Sequence, residues 1–299
     1  MILRSTFLHL RIPFSFFLLP VFLFALALTP NLDPERIAIV FFALHLFLYP
    51  ASNAYNSYFD KDEKSIGGIK NPPPVSRQLY WISLAFDLLA LLLGFMINLH
   101  FASMLFIYGL VSKAYSHPAV RIKKYPFLSW FIAGYFQGSF SFLMAYVGLN
   151  DFHLDNAMNS KIIFASLLAS AILWGSYPMT QIYQHEEDAK RGDFTLSRLL
   201  GIKGTFIFTG IVFSLATAGF LFYFNAYYHI QYGYDFMIFL APVVLFFVYW
   251  FWRVIKDETM ADYRHTMWLN TISAICMNVF FIYLFLKSSG VLDAVLEGY

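Results

Sequence analysis

The sequence predicts an all-α fold, a polytopic membrane helical bundle of about nine transmembrane helices forming one integral membrane domain over residues 1–299. Three observations predict it. Hydrophobic residues make up 59% of the chain and charged residues 13%, whereas a soluble surface needs roughly a quarter of its residues charged. The apolar residues fall in runs long enough to cross roughly 30 Å of hydrocarbon at about 1.5 Å per residue. Lysines and arginines gather in alternate connections, as the positive-inside rule expects.

The first apolar segment, 13–30, follows Arg4 and Arg11. Further apolar segments succeed it and no small-x-small cleavage site closes it, so it reads as a retained span rather than a signal peptide. The second, 36–56, contains His45, whose ring needs a partner at that depth; a helix–helix hydrogen bond is the favoured role. The third and fourth, 78–98 and 100–116, are parted only by a tight turn at Asn98–His100. Asp87 in the third is costly against lipid and is expected to be paired. The fifth and sixth, 127–149 and 161–183, follow, with Gln137 a candidate cavity residue. The seventh and eighth, 202–225 and 234–253, flank an aromatic-polar stretch, NAYYHIQYGYD, that reads as interfacial. The ninth, 267–287, holds Asn278, a second candidate cavity residue, and Cys276, the chain's one cysteine. A single cysteine excludes an intrachain disulfide and a CxxC metal site.

The cations fix an expected orientation. One side receives Arg4 and Arg11, Lys61 to Arg77, Lys113 to Lys124, Lys190 to Lys203, and Arg253 to Arg264; the other holds Arg36, Lys161 and Lys287. The N-terminus and both acidic loops are then cytoplasmic and the C-terminus outside, with the bacterial inner membrane the expected location. The formal net charge of +2 carries no information about nucleic acid, and the lack of a basic, aromatic-interleaved patch argues against it.

Two polar loops interrupt the apolar pattern. Asn53–Arg77 reads NAYNSYFDKDEKSIGGIKNPPPVSR, and Gln184–Asp193 reads QHEEDAKRGD. Asn56 and Asp60 stand four residues apart on one helix face, with Asp62 and Glu63 adjacent. Gln181, Gln184 and Asp188 repeat that spacing, with His185, Glu186 and Glu187 interleaved. Oxygen donors in this number suit Mg²⁺, which takes one or two carboxylates together with water and substrate phosphate. Lys64, Lys70, Arg121, Lys123, Lys124, Lys190 and Arg191 lie on the same side and suit phosphate oxygens. The eight histidines form no HExxH pattern.

On these residues the chain resembles the UbiA superfamily of intramembrane prenyltransferases. That family's first motif is N-x-x-x-D-x-x-x-D; Asn56 and Asp60 match it, and Lys64 occupies its last acidic position. Its second is D-x-x-x-D followed by G-x-x-T-L; Gln184 occupies the first place, Asp188 the second, and Gly192, Thr195, Leu196 and the later Leu200-Gly201 fit. The segment YSHPAVRIKK, from Tyr115 to Lys124, is similar to the family's Tyr/basic loop. The resemblance covers nearly the whole chain and marks it as a divergent member.

The resemblance implies nine helices and Mg²⁺-assisted ionisation of a prenyl diphosphate, with transfer to an aromatic or other lipophilic acceptor amid membrane lipids. Asn56, Asp60 and Asp188 become the catalytic candidates, with Glu63 and Gln184 beside them as metal donors. Lys64, Tyr115, Arg121, Lys124, Gln184 and Lys190 become the diphosphate-binding candidates. The alternatives are a related terpene cyclase and a non-enzymatic carrier or structural protein on the same scaffold.

Overall fold

The fold is that of a computed structural model in which residues 3–290 are described. The chain ends, to which the charge reading assigns opposite sides, fall outside those residues. Among the described residues there is no strand, only an isolated bridge between Ile66 and Ile69.

The chain enters through a short helix α1 (Arg4–Leu10), a 3₁₀ turn (Ile12–Phe17) and α2 (Leu19–Ala27), bent by 42°. Helix α3 (Pro34–Asp60) follows, with Asp33 accepting from the Arg36 N–H as its N-cap. It widens into a π-helical stretch at Phe42–Leu48, just before Pro50. Proline lacks an N–H and crowds the carbonyl a turn earlier, and a wide turn accommodates both defects.

Helices α4 (Arg77–Ile97) and α5 (Leu99–Ser116) meet at Asn98, whose side chain caps the second by accepting from Phe101 N–H. Unit α6, residues 126–150, contains a second π-helical stretch at Phe136–Phe140. A short α7 (Leu154–Ala157) leads to α8 (Ser160–Gln181) and the small α9 (His185–Arg191). Then come α10 (Leu196–Tyr227), α11 (Ile230–Lys256) and α12 (Tyr263–Ser288). The expected interfacial stretch after residue 225 is mostly helical, leaving only Tyr228 and His229 between α10 and α11.

Six of these helices are long and apolar enough to cross a membrane, and the bent pair at the N-terminus makes seven. Helix α5 and unit α6 are not among them, although each occupies an expected span. Both carry polar side chains, including Lys113, Tyr115, Ser116, Gln137 and Ser139, at positions a lipid-facing helix would fill with aliphatics.

Lipid tails are as apolar as leucine, so close packing, rather than the hydrophobic effect, holds such helices together. Phe24 of α2 stacks on Phe281 of α12 at 4.5 Å between ring centroids, and Phe220 of α10 stacks on Phe236 of α11 at 4.4 Å. Between α6 and α8 the backbones nearly touch. A Cβ at Gly138 would come within 2.4 Å of the Ser170 backbone, so only glycine fits. Asn278 is buried without a hydrogen-bond partner and away from the cavities described below. Gln137, by contrast, lines them both.

Candidate active site

Helices α3, α5, α8 and α12 and unit α6 border a polar chamber of about 240 Å³. Helix α3 contributes Ser52, Asn53, Asn56, Ser57 and Asp60, a stripe at helical spacing. Helix α5 contributes Tyr108, Ser112, Tyr115 and Ser116; α8 contributes Tyr177, Thr180 and Gln181; α6 contributes Gln137. Three loops and the N-terminal segment close it with Asp62, Lys123, Gln184, Asp188, Arg191, Asp193 and Arg11. The two acidic loops, more than a hundred residues apart, therefore meet.

Where α3 stops decides which acids enter. Lys61 takes a left-handed conformation at φ 51°, so the helix ends at Asp60. The i+4 ladder from Asn56 through Asp60 does not reach residue 64 on the same face. Asp62 turns into the chamber instead. Lys64 points outward and pairs with Glu186, both more than half exposed. Lys190 is also exposed and pairs with Glu186 and Glu187. Neither Lys64, Lys190, Lys124 nor Glu63 lines the chamber; Lys124 lies over the Tyr125 ring at 5.0 Å.

The remaining expected residues stand at or beside the chamber. Asn56 accepts a hydrogen bond from Ser116 at 2.7 Å. Asp60 is ion-paired with Lys123 and lies 3.7 Å from Arg121. Arg121 donates to both oxygens of Asp193, at 2.8 and 3.0 Å. The Tyr115 hydroxyl is hydrogen-bonded to that of Tyr177. Gln184 donates to the Ser65 carbonyl at 3.3 Å, tying one acidic loop to the other.

Arg191 is the hub. It donates to Asp62, to Asp188 at 2.7 Å and to Asp193 at 3.3 Å. Gly192 lets the chain turn back at φ 73° immediately afterwards, which brings Asp193 under the same guanidinium. Burial favours loss of the Arg191 proton, but the surrounding Asp62, Asp60, Asp188 and Asp193 hold it firmly charged. Burial also works against Asp193 ionisation, yet Arg121, Lys123 and Arg191 outweigh it and keep that carboxyl below the ordinary range. For Asp188 burial wins over Arg191, and its carboxyl is pushed up to about 6.

In the sequence Arg11 is one orientation charge among several. It lines the chamber, 9% exposed, with Nη1 on the Gly67 carbonyl at 3.1 Å and Nη2 on the Asn53 carbonyl at 3.3 Å. Its left-handed φ of 48°, which breaks the entry helix, is a local signal that only the folded chain reveals. In the sequence Asp193 is simply the end of an acidic run.

Among the described residues no three His, Cys, Asp or Glu side chains are grouped to hold a metal by themselves. Two buried acceptors, Asp188 Oδ2 and Gln181 Oε1, nonetheless have no hydrogen-bond partner. Both residues line the chamber, and oxygens of this kind suit a hard divalent cation that draws its other ligands from a diphosphate and water.

Behind the polar chamber lies an apolar cavity of about 690 Å³. Phe14, Ser52, Asn53, Tyr108, Gln137, Tyr177, Thr180 and Asn270 line both, so the two are continuous. The cavity runs between α2, α8, α10, α11 and α12 and reaches the outer face of the bundle at Ser214, Ala218, Val244 and Val248, all exposed.

Comparison with known proteins bears on the family and the fold. The UbiA prenyltransferase family model matches residues 17–294. No curated protein matches the chain. Among solved structures, the fold is similar to that of a UbiA homologue from Archaeoglobus fulgidus bound to DMAPP and Mg²⁺ (TM-score 0.68, 17% identity, 96% of this chain and 99% of that one). It is similar to the apo UbiA homologue from Aeropyrum pernix K1 (0.67, 18%, 91% and 98%). It also resembles a digeranylgeranylglyceryl phosphate synthase structure (0.60, 19%, 96% and 98%).

Proposed function

The chain belongs to the UbiA prenyltransferase family, and we propose that it is an integral membrane enzyme moving a prenyl group from a prenyl diphosphate to a lipophilic acceptor. The observation that carries this reading is the junction of a charged chamber with a long apolar cavity, matching the two halves of a prenyl diphosphate.

In this reading the diphosphate occupies the chamber and the prenyl tail the apolar cavity. The scissile C–O bond then falls near Tyr108, Gln137 and Tyr177, which border both. Asp188 and Gln181, with Asn56 and Asp60 in the same chamber, would hold Mg²⁺, which would neutralise charge on the diphosphate leaving group. Lys123, Arg121 and Arg191 orient the phosphate oxygens from the loops, and Arg11 does so from the N-terminal segment. Gln184 holds the acidic loops together. Phe14, Tyr49, Tyr108 and Tyr177 present aromatic faces to an allylic carbon as positive charge develops. Binding in a fixed pose lowers the entropic part of the barrier. The acceptor attacks that carbon, and the departing diphosphate is a base for the proton released when an aromatic carbon is the nucleophile.

All nine helical units serve as spans in this reading. Helix α5 and unit α6 fall short in apolarity because Tyr115, Ser116 and Gln137 line the chamber, while Lys113 pairs with Asp87 of α4 and Ser139 bonds Ser166 and Ser170 of α8. The basic loops face the cytoplasm, following the charge bias of the connections.

The test is incubation of purified protein with radiolabelled prenyl diphosphates, with and without an acceptor panel and Mg²⁺. Transfer of label to an acceptor is expected. A cyclic product formed from donor alone selects cyclisation, and no diphosphate release from any donor rules out both reactions.

A further inference from the structure

Arg191 stands where the two acidic loops need a positive charge between them. Asp62 comes from the first loop and Asp188 and Asp193 from the second, and one guanidinium, its side chain 16% exposed, bonds all three. Lys123 does the same for Asp60 and Asp193, the latter at 3.6 Å. Asp60, Asp62, Asp188 and Asp193 are thus balanced by Arg121, Lys123, Arg191 and Arg11 before any metal arrives. A near-neutral chamber draws divalent cations weakly, since binding several of them needs excess negative charge.

We propose that Arg191 is a resident counter-cation for the donor's diphosphate, supplying from a fixed side chain positive charge that a metal ion would otherwise bring. On diphosphate entry its fork exchanges a carboxylate partner for phosphate oxygens, so the chain captures diphosphate without divalent metal and uses only the cation that fits Asp188 and Gln181. This rests on the transferase reading above. The planar guanidinium suits the task because it makes two parallel hydrogen bonds to one anion.

The test uses the full chain in detergent with inorganic pyrophosphate as probe, by calorimetry and thermal melting, in EDTA and in Mg²⁺. Pyrophosphate is expected to bind in EDTA. Arg191→Gln should weaken that binding by roughly 10- to 100-fold, the value of a charge-assisted pair, and Arg191→Lys should restore part of it. If Arg191→Gln does not fold, Asp62→Asn decides: with one carboxylate competitor removed, metal-free binding should tighten several-fold, and unchanged or weaker binding overturns the proposal. Binding that appears only with Mg²⁺, or metal-free binding unaffected by Arg191→Gln, overturns it and leaves the transferase reading standing. No binding under either condition overturns both.

Discussion

Lys113 of α5 and Asp87 of α4 form an ion pair between adjacent helices, with side chains only 18% and 19% exposed. A charge at that depth without its partner is expensive, although a pair can often be exchanged for apolar groups at little cost. Asp87→Ala alone should therefore destabilise the protein by about 3–5 kcal/mol. Asp87→Leu combined with Lys113→Met should recover most of that, read as unfolding in detergent. Equal losses in the single and double variants would show the pair to be energetically idle.

Asp188 works against the fold that holds it. Its folded-state value of about 6 lies above the ordinary 3.8, so its contribution to stability falls as pH rises from about 4 to 6 and stays low above that. Asp188→Asn should raise the melting temperature of the metal-free protein at pH 7.5, and the gain should fade below pH 5. The same variant should lose Mg²⁺-dependent turnover. A lower melting temperature at pH 7.5 would contradict the burial argument.

Lys64 and Lys123 should part company in turnover assays. Lys64 is exposed beside Glu186, so Lys64→Ala should change turnover less than about threefold, the range of a surface ion pair. Lys123 is buried against Asp60 and Asp193, and Lys123→Gln should lower turnover by roughly 100-fold. The reverse order would move the diphosphate site to the outer face of the loops.

Ser273 of α12 lines the apolar cavity with its side chain partly exposed to it. Ser273→Phe should fill part of that volume and shift donor preference toward shorter chains, measured as relative kcat/KM for a series of prenyl diphosphates. An unaltered preference would place the tail elsewhere.

Gly138 tests the packing that positions α8. Gly138→Ala places its methyl against the Ser170 backbone and should cost about 1–3 kcal/mol in unfolding experiments.

Most of the helices were legible because they are long apolar runs, and Asn56, Asp60 and Asp188 stood out because their spacing repeats. The site's cations were harder to read. In a membrane protein, loop lysines and arginines also set orientation, so Arg11 looked like any other positive-side charge. Its role depends on a left-handed residue bringing a guanidinium back to the Gly67 and Asn53 carbonyls. Lys64 misled for a related reason: residue spacing assumes that a helix continues, and Lys61 ends it. Asp193 acquires its importance only because Gly192 turns the chain under Arg191.

The joined cavities have two mouths of opposite character, one among charged loops and one between apolar helices at Val244 and Val248. A reaction at their junction would sort its products by solubility without any moving gate. The small anion would return to water, while the lipid would diffuse sideways in the plane of the bilayer. Neither would have to wait for the other to clear a common corridor, so accumulated lipid product and accumulated pyrophosphate would slow the protein independently.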